Sequence, residues 1–461
     1  MEDKNYFYDI HYHAFDLSHA NLSAFLKRIL KDKEKSIETL LKNNLPWKHK
    51  LFIPFVSYKY LTKKILTGLE DKIVNIQNTL SLYEQPIEDH FLIVEYFLKQ
   101  EYDNKNKKIP PIIKDKKIQI HNNSYDKLVI CPLIIDFGQK SSRLNNKGLY
   151  SLMPGKPIVK QVVDLFNSIK NYYSYELKFD EVTGKLNKVK VKDPETKPLR
   201  ILPFLGINPA NYQPFQQKVI PMFKQYFDSY DDDDSTEKRI GRVEESINAF
   251  LNFDGKLTND KGENIPRTNM FFGVKVYPPL GFKPDDEDSI KLFSECIKYN
   301  LPVTTHCSDG GFVVNDNSKD NTNPHGAWKE VFTSKANNKP ELRKLKLNFA
   351  HFGVQKDGQT EWRKAIIDMA RQYPNIYTDI SSLAHEDGFY SKIEKWLNDD
   401  DIDTFDIAKA RVLFGSDFSI NLMETDSYNS YLYNNNKCDK NWKKNITENN
   451  PAKFLFDVAK K

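Results

Sequence analysis

This sequence of 461 residues has no long apolar run. Its most uniformly apolar stretches, such as LVICPLII at 128–135, have the length of a strand and fall far short of a membrane span. Charge of one sign is also missing: 68 basic residues face 63 acidic ones, for a formal net charge of +5. The lysines are scattered among Asp, Glu and Asn, so no basic stripe marks a nucleic-acid surface. The opening MEDKNYFYDI carries acids where a signal peptide has a basic segment and an apolar core. Cysteine is scarce. Cys131, Cys296, Cys307 and Cys438 form no CxxC pair and no even framework, which fits reduced thiols. The four-Asp run in DSYDDDDSTEKR (228–239) lacks the spaced ligands and glycine of a calcium loop and reads as a solvated loop. These absences leave a cytoplasmic enzyme as the expectation.

What is present begins with NYFYDIHYHAF at 5–15. A run rich in aromatic and β-branched residues, without Gly or Pro, reads as a strand. Positions i and i+2 share a strand face, so His11 and His13 project together, an arrangement that suits two ligands of one cation.

From about residue 200 the chain alternates between short apolar runs and helical segments. LRILPFLGIN (199–208), MFFGVKVYPP (270–279), LPVTTHC (301–307), LKLNFAHFG (345–353), NIYTDISSL (375–383) and ARVLFGSDFSI (410–420) read as strands. Between and after them, RVEESINAFLNF (242–253), DSIKLFSECIKYN (288–300), TEWRKAIIDMARQYP (360–374) and the segment after NNP near the C-terminus read as helices. With the HxH strand and KLVICPLIIDFG (127–138) the count is eight, which predicts a (β/α)8 TIM barrel formed by a single domain over 1–461. Two intervals are too long for single connections. Residues 14–126 hold amphipathic segments such as SAFLKRILKDKEKSIETLLKNN and EDHFLIVEYFLKQE, predicting a helical insertion. Residues 139–200 hold alternating runs around Thr183, Gly184 and Lys185, predicting a β-hairpin lobe over the barrel mouth.

Polar residues recur at the carboxyl ends of the predicted strands: His11 and His13, Lys275, His306, His351 and Asp417. That end is where barrel enzymes build their active sites. Singly, each has an ordinary explanation: a histidine in TTHCS is more often a hydrogen-bonded core residue, and Asp417 in FGSDF would serve as a cap. Their joint order and spacing, 28 to 45 residues apart from Lys275 through His306, His351, Asp379 and Asp417, matches one βα unit per step. HxH, then His, His and Asp on strands 5, 6 and 8 resembles the amidohydrolase superfamily. GVKVYPPLGF, LPVTTHCSDGG, AHFG, NIYTDISS, LFGSDF and the closing ENNPAKFLF look like its branch that includes aminocarboxymuconate-semialdehyde decarboxylase. The resemblance covers 5–15 and about 200–461, and 14–200 match poorly.

The resemblance implies a divalent metal, zinc by ligand type, held by His11, His13, His306 and Asp417. It implies that the ion lowers the pKa of water, that Asp417 shuttles the proton, and that His351 orients the water or stabilises charge on a carbonyl. Lys275 departs from the mononuclear decarboxylase pattern. It is expected either to be carbamylated and bridge two ions, or to bind substrate, or to be structural. Tyr277, Asp309 and Trp328 are expected at the substrate wall, with Asp379 supporting the ligands at the mouth. Cys307 follows His306 and should point away as a buried thiol. The expected activity is metal-dependent hydrolysis of a C–N or C–O bond in a small molecule: an amide, lactam, lactone or ester. The alternative is non-oxidative decarboxylation on the same scaffold; an idle binding protein is disfavoured, since every expected metal position is filled. Barrels of this kind often pair, so a homodimer is expected, with no nucleic-acid or membrane partner.

Overall fold

The computed structural model describes residues 5–16, 79, 81–104, 107–120, 123–137, 158–211, 227, 271–313, 316–355, 358–386, 388–400, 402–425, 427–435 and 438–457. Eight parallel strands run in chain order around a barrel: β1 (Tyr6–His13), β2 (Lys127–Leu133), β3 (Phe204–Gly206), β4 (Gly273–Val276), β5 (Val303–Thr305), β6 (Leu347–Phe349), β7 (Ile376–Asp379) and β8 (Val412–Leu413). A short extra strand, Leu199–Ile201, pairs with β2 beside β3. Their residues are buried on both faces, as expected of parallel strands covered by helices. On β1, Phe7, Ile10 and Tyr12 are as buried as Asp9 and His11.

Helices cover the outside. Those around the second half of the barrel are α1 (Glu287–Lys298), α2 (Glu361–Gln372), α3 (Phe389–Asp400), α4 (Ile402–Arg411) and the closing α5 (Asn450–Phe456), whose Pro451 sits in the first turn where its missing N–H costs nothing. Among the described residues no helix is long and apolar enough to cross a membrane. The segments 23–44, 228–239 and 242–253, expected as helix, loop and helix, lie outside the described residues.

Within the first long interval, Ile87–Leu98 forms a helix that packs on another, Ile158–Ser174. The latter leads into an antiparallel hairpin, Tyr175–Asp180 with Lys185–Lys190. The hairpin does not sit over the barrel mouth as the sequence suggested. Lys197 Nζ donates to Tyr175 O at its base, and Lys127, the first residue of β2, donates to Lys197 O. The hairpin base therefore stands at the amino ends of the strands, opposite the active-site end. Periodicity identifies a hairpin but carries no information about which end of the barrel the preceding helix delivers it to.

The seam between β8 and β1 closes the barrel. Ile10 N donates to Phe414 O at 3.1 Å, Asp417 N to His11 O at 2.7 Å and His13 N to Phe418 O at 2.5 Å. Asp9 adds side-chain links across the same seam, accepting from Ser416 N at 2.9 Å and from the Tyr428 hydroxyl at 2.9 Å. Gly415 allows the close approach: a Cβ there would lie 2.6 Å from His11 Cβ. Burial pushes the Asp9 carboxyl up to about 7, against the hydrogen bonds it accepts. A carboxyl raised above its unfolded value of roughly 4 stabilises the fold at low pH, and that contribution is lost as pH rises through the folded value. Asp9→Asn should therefore gain relative to wild type between pH 4 and 7, by on the order of 2 kcal/mol in urea unfolding. Asp9→Ala, which strands the Ser416 and Tyr428 donors, should lose about 2–4 kcal/mol.

Candidate active site

Of the candidate site residues singled out from the sequence, all but Cys307, Asp309 and Trp328 reach one cavity of about 270 Å³ or the buried floor beneath it. His13, Lys275, Tyr277, His306, His351 and Asp417 line it, and His11 lies fully buried behind. Imidazole centroids fall 5.2 Å apart for His11 and His13, 4.9 Å for His11 and His351, and 5.0 Å for His306 and His351. Ile135, Phe312, Val354, Leu383, Ile420 and Met423 supply apolar wall from the βα loops.

The hydrogen bonds behind the rings set their tautomers. His13 Nδ1 lies 3.0 Å from Leu133 O, and only a protonated Nδ1 satisfies a carbonyl. His11 Nδ1 lies 3.0 Å from Asp379 Oδ2 and is the donor there in the same way. The Nε2 of the neutral His11 ring therefore carries a lone pair, and His13 Nε2 faces the same carboxylate oxygen. Those two nitrogens approach Asp417 Oδ1 at 3.0 Å from His13 and 3.4 Å from His11. His11 Nε2 and Asp417 Oδ1 face each other as acceptors, and neither makes a hydrogen bond among the described residues. That arrangement is repulsive without a cation and favourable around one. The donor set of neutral imidazoles and a carboxylate fits a divalent metal, and His11, His351 and Asp417 also offer ligand atoms within 4.8 Å of one another.

Asp379, at the end of β7, organises this cluster from beneath. Its carboxylate takes His11 Nδ1, Asn348 Nδ2 at 2.7 Å, the His351 amide at 3.0 Å, the Ser381 amide at 3.0 Å and the Ser381 hydroxyl. Burial alone would raise its pKa; the adjoining imidazoles and these donors hold it well below the usual carboxylate range. Burial likewise opposes ionisation of Asp417, and the His13, His351 and His11 imidazoles beside it bring that carboxyl below its ordinary value. Burial pushes His11 down to about 3 and lowers His306 and His351, so the rings are neutral and ready to ligate. Lys275 is 2% exposed, its Nζ has no hydrogen-bond partner among the described residues, and burial lowers it to about 8 against the pull of Asp379 and Asp417.

Two backbone positions mark the site. His351 and Asp417 adopt left-handed φ values of 61° and 62°, a region costly for residues other than glycine. Both strained residues bear side chains of the cluster.

The second tier of expectations divides. Tyr277 lines the cavity, stacked on His306 at 4.3 Å, its hydroxyl accepting from Phe312 N at 2.9 Å. Asp309 is not in the wall; its neighbours Ser308 and Gly311 are. Trp328 is core rather than substrate wall: it is fully buried against Phe293 and Phe349, at 5.4 and 5.5 Å. Cys307 is buried, its Sγ 3.5 Å from Thr322 O, and does not line the cavity. Ser381, Asn348 and Asp9 escaped the sequence reading. None of the three has a motif or spacing of its own in the sequence.

Curated proteins give no match to the chain. Solved structures that resemble it include 2,6-dihydroxybenzoate decarboxylase from Rhizobium, 12% identical with a TM-score of 0.33, covering 71% of this chain and 83% of that one. Another is an amidohydrolase from Mycobacterium avium subsp. paratuberculosis, 11% identical with a TM-score of 0.32, covering 72% and 70%. The sequence profile of the Amidohydrolase family matches residues 266–456, which carry Lys275, His306, His351, Asp379 and Asp417. Over that span, from the approach to β4 through the closing helix, the chain is similar to the Amidohydrolase family.

Proposed function

We propose that this enzyme is a hydrolase that cleaves a C–N or C–O bond of a small molecule, an amide, lactam, lactone or ester, at a divalent ion. The observation that carries this reading is the convergence of His11 Nε2, His13 Nε2 and Asp417 Oδ1 on a buried floor. These residues would hold the ion, with zinc best suited to imidazole and carboxylate donors. When bound, the ion supplies Lewis acidity that makes water nucleophilic near neutral pH and polarises an acyl oxygen.

The chain's own groups do the rest. Asp417 lies at the cavity floor as an ionised carboxylate able to take a proton from an attacking water and pass it to the leaving group. The loop side chains Ile135, Phe312, Leu383 and Met423 exclude water from one flank, and Tyr277 offers a flat wall against which a planar acyl group packs. Lys275, carbamylated, would present a carboxylate-like donor and help hold a second ion. Free, its unpartnered Nζ would instead meet a substrate oxygen. That second state favours the other reading, decarboxylation, because a buried cation beside the floor suits a substrate carboxylate. Four buried free thiols fit a reducing cytoplasm.

Metal content per chain separates these states. Protein purified without chelator and with bicarbonate should carry one or two ions. Two favour a carbamylated Lys275 and hydrolysis; one leaves Lys275 a substrate contact and raises decarboxylation. No ion after zinc or manganese is supplied would overturn the reading. On whichever substrate a screen of amides, lactones and acids identifies, Asp417→Asn should lower kcat at least about 100-fold while the variant stays folded by circular dichroism.

A further inference from the structure

The resemblance assigned His306 to the ion and His351 to the attacking water or the substrate carbonyl. We infer that these two exchange roles in this chain: His351 from β6 is the further imidazole on the ion, and His306 from β5 is a clamped wall residue. The inference rests on the reading that the floor holds a divalent ion.

His351 is presented as a ligand. It shares with His11 and Asp417 the cluster whose donor atoms lie within 4.8 Å of one another. Its Nδ1 is held from behind by Ser381, 2.9 Å from the hydroxyl and 3.3 Å from the carbonyl. The Ser381 hydroxyl has one proton, and the Asp379 carboxylate takes it, so that hydroxyl can only accept from His351. Nδ1 of His351 is therefore protonated, and Nε2 keeps its lone pair. A neutral ring in that tautomer gives electrons to a cation; it has no N–H on that nitrogen with which to stabilise a carbonyl oxygen.

His306 is presented otherwise. Its Nε2 lies 3.2 Å from Gly310 O, which accepts only from a protonated nitrogen. Ser308 Oγ flanks the same nitrogen at 3.1 Å. Gly311, at φ 80°, packs the loop so tightly that a Cβ there would fall 2.8 Å from His306 Nε2 and 2.1 Å from the Tyr277 hydroxyl. With Tyr277 stacked on its face, the ring is enclosed on its Nε2 edge by the loop after β5. A nitrogen engaged in donating to a carbonyl cannot ligate. Ser381 becomes the positioning residue of the site, and Asp379 sets both His11 directly and His351 through that hydroxyl.

Cobalt(II) binding to the metal-stripped full chain tests this without any turnover. Dissociation constants are read by competition with a chromophoric chelator, ligand number by the visible absorption of bound cobalt, and folding by circular dichroism. His306→Asn should bind within about threefold of wild type with an unchanged cobalt spectrum. His351→Asn should bind at least about 100-fold more weakly with an altered spectrum. Ser381→Ala should weaken binding by roughly 10-fold and Ser381→Thr, which restores the hydroxyl, should recover it. Weakening by His306→Asn comparable to that of His351→Asn, or an unchanged cobalt site in His351→Asn, overturns the exchange of roles. If His351→Asn does not fold, His306→Asn and the Ser381 pair decide the matter alone. Failure of wild type to bind cobalt would instead sink the metal-enzyme reading itself.

Discussion

A single desolvated carboxylate, Asp379, is the constraint on which the site depends. It sits at the end of β7, fully buried, and collects donors from β1, from β6 and from the turn that follows it. A buried charge is tolerable only when its hydrogen-bonding capacity is filled, and here filling it fixes four other groups. The His11 ring acquires its tautomer, the His351 backbone is drawn into the left-handed region, Asn348 is oriented, and the Ser381 hydroxyl is committed as an acceptor toward His351. The floor is thereby set before any ion or substrate arrives, so little reorganisation is needed on binding.

The neutrality of the rings follows from the same enclosure. Burial disfavours the imidazolium form of His11, His306 and His351, while the carboxyls beside them stay ionised because donors surround them. The protein thus separates proton ownership, keeping carboxylates charged and imidazoles uncharged within one small volume. That separation is what a cation site requires, since a protonated ring competes with the metal for the same lone pair.

Much of this was readable in the sequence. Strand positions followed from short β-rich runs spaced one βα unit apart, and β4 to β8 lie within a few residues of the expected spans. The site followed from strand-end chemistry: parity on β1 put His11 and His13 on one face, and Asp379 stood out as a carboxylate at a strand terminus. What stayed hidden depends on three-dimensional contact. Ser381 matters only because β7 brings it beneath His11 and His351, and a lone serine has no periodic signature. Trp328 was expected at the substrate wall beyond β5, yet Phe293 and Phe349 converge on it from separate elements. Which of two histidines faces an ion is decided by a carbonyl at Gly310 and a hydroxyl at Ser381, distinctions below the resolution of any motif.

The seam between β8 and β1 carries one more implication. β8 spans two residues, so its own ladder holds little, and closure relies on Asp9, Gly415, Ser416 and the amide of Asp417. The residues that shut the barrel are neighbours in sequence of those that face the cavity. Evolution therefore has no independent dial here. A change on β8 that retunes reactivity also perturbs the closing joint, whereas the loops after β2 and β5 can vary the cavity wall without touching that joint. New substrate preferences in this architecture should accumulate on the loop side, and the joint should drift slowly.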